Sequence, residues 1–344
     1  MRLVLLAAFT LCSCAPALSA PMSPSASSKQ ANELALQMAE MQGKMNAARD
    51  LAEKKCEPFL HREVGYAEER AIGADLAVSF TAQRGHLYLD GVTEKDPQKL
   101  ISQLASRAPL TLPTGGRNTV TTHVAAVGRD LARFSARPDL PWVFGVVNSE
   151  SPQAFSTPGG FVFVTTGLLK KMTNEAQLAG VLGHEIAHVV QKDGLRKYVD
   201  ASHKQCIAAT FAAELIQAGA ANNEVAAEAA RYASGFANGT LDLDKGDPGF
   251  RKFILNTTLM LIELGGDKDR EFETDKTALQ LVSFAGYDPV EYEQFLTTWK
   301  QENHPPSIDR AAKLENLRKN DLKDFAVGTN KPELGKDFAP LSAP

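Results

Sequence analysis

The residues of this chain best suited to chemistry are two histidines four apart with a glutamate beside the first, His184-Glu185-Ile186-Ala187-His188. On an α-helix, imidazoles at i and i+4 project from one face, close enough to bind a single metal ion. Glu185 lies about 100° round from His184, off the metal but within reach of a water bound to it. Zinc lowers the pKa of such a water towards 7, and a nearby carboxylate can take its proton as it attacks a polarised carbonyl. The pattern predicts one Zn2+ ion per chain, with His184 and His188 as ligands and Glu185 as general base.

Catalytic zinc takes three protein ligands and keeps one position open. The run Arg270-Glu271-Phe272-Glu273-Thr274-Asp275 offers the third. Glu271 and Asp275 are at i and i+4 on a helical pattern that ends near Gly286, so their carboxylates share a face. One can bind the metal while the other accepts the distal N–H of a ligand histidine. Glu271 is favoured as ligand over Glu273, which points about 200° away from it. Asp275 is then the residue behind a histidine.

These residues need a rigid helix. Thr173 or Asn174 can cap its start, and Glu175 suits the positive end of its dipole. Leu178, Leu182, Ile186 and Val189 make a stripe that can face a core. Gly180 costs nearly 1 kcal/mol against Ala in mid-helix, which points to a close approach by another group. Asp193-Gly194 marks a stop. Trp142–Val147 and Phe161–Thr165 read as buried strands around a Pro158-Gly159-Gly160 loop. Phe59–Phe80, Ile207–Ala230, Phe253–Leu264, a segment opened by Asp288-Pro289 and the stretch Ser307–Leu317 read as helices. Charges inside Ile207–Ala230 exclude a membrane span; it and Phe253–Leu264 are expected to roof the cleft.

His184–His188 followed by Glu271-x-x-x-Asp275 resembles the glutamate-ligand zinc peptidases, and further motifs point to the HtpX/CAAX-prenyl-protease type. Ala154 to Leu169, with Pro158-Gly159-Gly160, is similar to the strand and loop that precede the zinc helix there. Gly286-Tyr287-Asp288-Pro289 and His304-Pro305-Pro306 followed by Arg310 resemble later family elements. The soluble periplasmic branch, of BepA or LoiP type, fits better than the multi-span branch. The resemblance covers roughly residues 60–320. It implies an α+β, mainly α-helical zincin-like metallopeptidase with a small sheet whose edge strand lies beside the zinc helix. A polypeptide substrate would pair with a strand edge, with Gly159, Gly160, Phe161, Val162 and Phe163 as the binding residues. His304 and Arg310 are expected at the rim of the site, either as donors to the developing oxyanion or, for His304, as a latch on the open position.

Composition agrees with one enzyme domain plus trimmings. The chain has 344 residues, 44% hydrophobic, with a formal net charge of −4, which gives no electrostatic reason to expect nucleic acid. Residues 1–20 read as a signal peptide, with Arg2 ahead of an apolar run too short to span a bilayer. Cleavage falls either before Cys14, in a lipobox that would attach a lipid and anchor the chain at the outer membrane, or near Ala20. Both outcomes place the protein outside the cytoplasm, in a bacterial periplasm. Residues 21–58 form a Ser/Pro-rich linker and a helix with a seam of Leu34, Met38, Met41, Met45, Ala48 and Ala52, expected to pack on the peptidase domain. That domain is assigned to 59–319, and 320–344 to a tail. Cys56 and Cys206 can form a disulfide in an oxidising compartment or remain separate thiols. The expected function is an endopeptidase acting on misfolded envelope proteins; the alternative is a chaperone or assembly factor with a latent zinc site. A closed structural zinc site is disfavoured because it normally uses four ligands rich in cysteine.

Overall fold

The computed structural model describes residues 24–87, 120–219, 255–260, 268–299 and 307–320, together with 99, 101 and 322. The signal segment 1–20, the second half of the Ile207–Ala230 helix, His304 and most of the tail lie outside the described residues.

The architecture is α+β and mainly helical. In chain order the principal elements are α1 (Pro24–Cys56), α2 (Tyr66–Arg84), β1 (His86–Leu87), α3 (Val120–Ala132), β2 (Val143–Asn148), β3 (Ala154–Thr157), β4 (Phe161–Thr165), α4 (Thr166–Leu169), α5 (Glu175–Val190), α6 (Asp193–Gln217), α7 (Lys268–Phe284), α8 (Pro289–Thr298) and α9 (Ser307–Asn320). The four strands form one mixed sheet in the order β1-β2-β4-β3, with β2 and β4 parallel and the outer pairs antiparallel.

Strand alternation divides the core in two. Val162 and Val164 of β4 face one hydrophobic cluster, built with α3, α5, α7, α8 and α9. Phe161 and Phe163 face the other, built with α2 and α6. Successive side chains of a strand point to opposite faces, so a strand whose five residues are all buried must be covered on both. The sheet lies between two helical layers.

Helix α5 belongs to the first layer and is buried on nearly every side. Asn174 caps it, its side chain accepting from the Gln177 N–H at 3.0 Å. Leu178, Leu182 and Ile186 are fully buried, each worth about 1.5–3 kcal/mol. Gly180 is explained by Tyr292 of α8: a Cβ there would sit 2.3 Å from the tyrosine ring. Among the described residues β3 is an edge strand, and it lies against α5, as the resemblance implies.

Helix α5 ends at Val190, and Lys192 takes a left-handed conformation (φ 58°) that turns the chain directly into α6. Helix α1 packs along α6, and the two are joined by a Cys56–Cys206 disulfide. Only the C-terminal part of the α1 seam packs: Ala48 and Ala52 are buried, while Leu34, Met38, Met41 and Met45 are exposed. Helix α2 begins at Tyr66 rather than Phe59, after the one-turn helix Glu57–Phe59. Among the described residues no helix is long and apolar enough to cross a membrane.

Candidate metal centre

Helices α5 and α7, neighbours in the first layer, bring together His184, His188 and Glu271, whose ligand atoms all lie within 4.8 Å of one another. His184 Nε2 and His188 Nε2 are 3.0 Å apart. Glu271 Oε2 lies 3.7 Å from the first and 3.9 Å from the second. Glu271 is buried on α7, whereas Glu273 is exposed and pairs with Lys276. The helical offset between them decides which one reaches the histidines.

Each histidine is fixed from behind by a carboxylate. His184 Nδ1 is 2.9 Å from Asp275, one turn after Glu271 on α7. Asp275 also accepts both Nε and Nη2 of Arg310 at 2.7 Å, and the Tyr292 hydroxyl at 3.0 Å. Burial opposes charge on this carboxylate. The hydrogen bonds from Arg310 and His184 outweigh burial and hold it far below the usual carboxylate range. Burial, and next the Asp275 charge, push the Tyr292 phenol up, so its hydroxyl stays a donor.

His188 Nδ1 is 2.8 Å from Asp193, the first residue of α6. Asp193 is also bonded by Arg270, at 3.1 and 3.2 Å, and by Arg196. Burial opposes its ionisation too, but His188 and Arg270 leave its pKa lowered. Burial likewise opposes charge on His188, yet Asp193, Glu271 and Glu185 raise its pKa. Asp193, Tyr292, Arg270 and Arg196 have roles in this network that the sequence did not disclose. The Asp193-Gly194 pair reads in the sequence only as a helix stop; the signal for more is its place five residues after His188, at the start of the next helix.

The donor set fits a metal ion. A carboxylate on each Nδ1 assigns the ring proton there and leaves a lone pair on each Nε2. Two lone pairs and a carboxylate oxygen then face one point, an arrangement that a cation between them resolves. Ligands about 2.0–2.1 Å from a tetrahedral ion lie about 3.3 Å from each other, close to the separations found. Two nitrogens and one oxygen suit zinc, and three ligands leave a position for substrate.

Three expectations require correction. Arg310 is not at the rim: it is buried on the far side of His184, with its guanidinium committed to Asp275. Phe161, Val162 and Phe163 do not form a strand edge, because β4 is paired with β2 on one side and β3 on the other. Gly159 and Gly160 do take left-handed dihedrals (φ 77° and 96°). However, the Gly159 N–H donates to Glu69 and its carbonyl accepts from Arg70, so its backbone is engaged with α2. His304 is outside the described residues. His123 pairs with Glu175 at the far end of α5, 2.7 Å away, and not with the metal cluster.

A buried helix bearing His-Glu-x-x-His, completed by a glutamate from a second helix, defines a metallopeptidase type of site. The chain belongs to peptidase family M48, which matches residues 118–318 and so takes in every residue of the cluster. It is similar to the mitochondrial metalloendopeptidase OMA1 of Schizosaccharomyces pombe, 30% identical over 169 residues, which are 49% of this chain and 41% of that protein. It is also similar to the beta-barrel assembly-enhancing protease of Escherichia coli K12, 26% identical over 259 residues, 74% of this chain and 45% of that one. A shorter match, 39% over 77 residues, is to protease HtpX of Legionella pneumophila, covering 21% of this chain and 26% of the relative. The chain thus spans less than half the length of these relatives.

Proposed function

We propose that this chain is a zinc-dependent endopeptidase, with His184, His188 and Glu271 as metal ligands and Glu185 as general base. The observation that carries the reading is the convergence of the three ligand atoms in front of two carboxylate-fixed imidazoles, with the Glu185 charge acting on His188. Zinc bound there supplies a Lewis acid for a peptide carbonyl and acidifies water. Glu185 takes the proton of the attacking water and delivers it to the leaving amine. Asp275 and Asp193 keep the imidazoles in the ligand tautomer, and Arg310 and Tyr292 hold Asp275. An extended polypeptide pairs with the outer edge of β3, Ala154–Thr157, the strand next to α5; this replaces β4 as the docking strand.

The substrates we propose are misfolded or unassembled bacterial envelope proteins in the periplasm. The name of the Escherichia coli relative and the secretory character of residues 1–20 support that reading, with Cys14 a candidate lipid attachment point. The decisive experiment is zinc analysis and casein cleavage by wild type and Glu185→Gln. The variant is expected to keep stoichiometric zinc and lose cleavage. Zinc lost with Glu185 sinks the role assignment, and undiminished cleavage sinks the mechanism. A biological function that survives Glu185→Gln would favour a chaperone with a latent zinc site instead.

A further inference from the structure

Commitment of the Arg310 guanidinium to Asp275 takes away the cation expected to meet negative charge at the reacting carbonyl. Hydrolysis by this chemistry places charge on that oxygen, and a donor besides the metal is worth about 100-fold or more in rate. The site opens on one side. His184, Glu271 and Asp275 are almost wholly buried, while the His188 side chain is 19% exposed. The helix that flanks His188 is α6, whose first residue, Asp193, is the carboxylate on His188 Nδ1.

Lys197 is one turn further along α6. At i+4 from Asp193 it lies on the same helical face, with Cβ atoms about 5–6 Å apart. It is half-buried, with its stem covered. Three acidic residues act on its ammonium: Glu271, the proposed ligand; Asp193, behind His188; and Glu185, the proposed base. They stand on α7, α6 and α5, and two of them, Asp193 and Glu271, lie 2.8 Å and 3.9 Å from the two ring nitrogens of His188. Burial lowers the lysine's pKa, and the three carboxylates act in the opposite direction.

We propose that Lys197 is a catalytic residue of this site, the cation that binds the oxyanion formed opposite Glu185. Its long stem lets the ammonium reach past His188 from the solvent side while the aliphatic part stays packed. Lys197 keeps its protons throughout: the proton of the attacking water goes to Glu185, and the ammonium contributes only hydrogen bonds and charge. Arginine can serve in its place, methionine cannot. The assignment rests on the peptidase reading for its chemistry but has its own readout in anion binding.

The test uses cobalt-substituted full-length protein titrated with inorganic phosphate, a tetrahedral oxyanion, followed by the visible absorption of the metal. In parallel, kcat and KM for casein-derived peptides are measured on the zinc form. Lys197→Met should retain metal stoichiometry and helical circular dichroism, bind phosphate roughly 10-fold more weakly and lose about 100-fold in kcat with KM little changed. Lys197→Arg should restore most of both. Equal phosphate affinity in wild type and Lys197→Met overturns the proposal, as does loss of the metal itself from Lys197→Met, which would make the residue structural. A wild type that binds phosphate through Lys197 but cleaves no peptide overturns the peptidase reading and leaves Lys197 standing as the anion-binding residue of the site. A wild type and Lys197→Met that both cleave peptides at the same rate do the reverse.

Discussion

The two histidines of the cluster are held by the same device built in different surroundings. His184, Asp275 and Arg310 form a chain whose side chains are 1%, 0% and 4% exposed. His188, Asp193 and Arg270 form a parallel chain at 19%, 11% and 48%. Charges in the inner chain have no water to turn to, so each needs the others; Asp275 accordingly receives Arg310, Tyr292 and His184. The outer chain is partly screened by solvent, and its arginines can leave at small cost. The inner arm is therefore part of the fold, and the outer arm is an adjustable fitting on the metal. Its histidine is the one beside the open position.

The contrast is broken most directly at Arg310. Arg310→Met leaves a buried carboxylate without its main partner, a change that typically costs about 3–5 kcal/mol. We expect a large drop in thermal stability together with loss of zinc, measured by calorimetry and metal analysis. A stable, zinc-replete Arg310→Met protein would mean that Asp275 does not depend on it. Asp193→Asn should behave differently, keeping the fold while zinc affinity falls by about 10–100-fold, as for other groups that orient a metal-bound histidine. Competition with a chromophoric chelator gives that number. Unfolding of Asp193→Asn would erase the distinction between the arms.

Acid sharpens the same contrast. In the metal-free protein the His188 pKa is raised, so protons compete with zinc from a pH above about 6.5 downward. Its protonated form contributes stability below the unfolded value near 6.5, which is lost as pH rises through the folded one. Asp275 has the opposite sign. Its folded pKa is depressed, so its contribution is complete above about pH 4 and is lost as pH falls further. Between roughly pH 4 and pH 6 a folded, zinc-free protein is expected, seen as native near-ultraviolet circular dichroism without bound metal. Unfolding that coincides with zinc release there would show that the inner arm is not independent of the metal.

What the sequence made legible follows the ranges over which its patterns act. His184, Glu185 and His188 share one helical turn, and Glu271 and Asp275 another, so their relative placement follows from helix geometry alone. The cap at Asn174, the close approach at Gly180 and the mixed helix–sheet architecture are likewise local or periodic signals. The sequence pattern links Arg310 to the site but not to Asp275, because which face of His184 α9 covers is a tertiary matter. The resemblance covers Ala154–Leu169 as one strand and loop without setting Ala154–Thr157 apart from Phe161–Thr165, so Phe161–Phe163 read as an edge when β4 is interior. Asp193 was hidden by its own position: a left-handed Lys192 lets the chain turn at once into α6, and an Asp-Gly pair looks like an ending either way.

The smallest expected effect is at Arg270, and it tests the outer arm alone. Its guanidinium bonds Asp193 at 3.1 and 3.2 Å but is 48% exposed, and Arg196 reaches the same carboxylate. An exposed pair of this kind is worth about 0–1 kcal/mol and is weakened by salt. Arg270→Ala should therefore leave the fold intact and lower zinc affinity by less than about fivefold. The difference from wild type should shrink as ionic strength rises, because screening removes in the wild type what the substitution removes in the variant. The double variant Arg270→Ala/Arg196→Ala should lose more than either alone, since each arginine covers for the other on Asp193. A loss in Arg270→Ala as large as that in Asp193→Asn, and insensitive to salt, would place Arg270 in the same class as Arg310 and make the two arms equivalent.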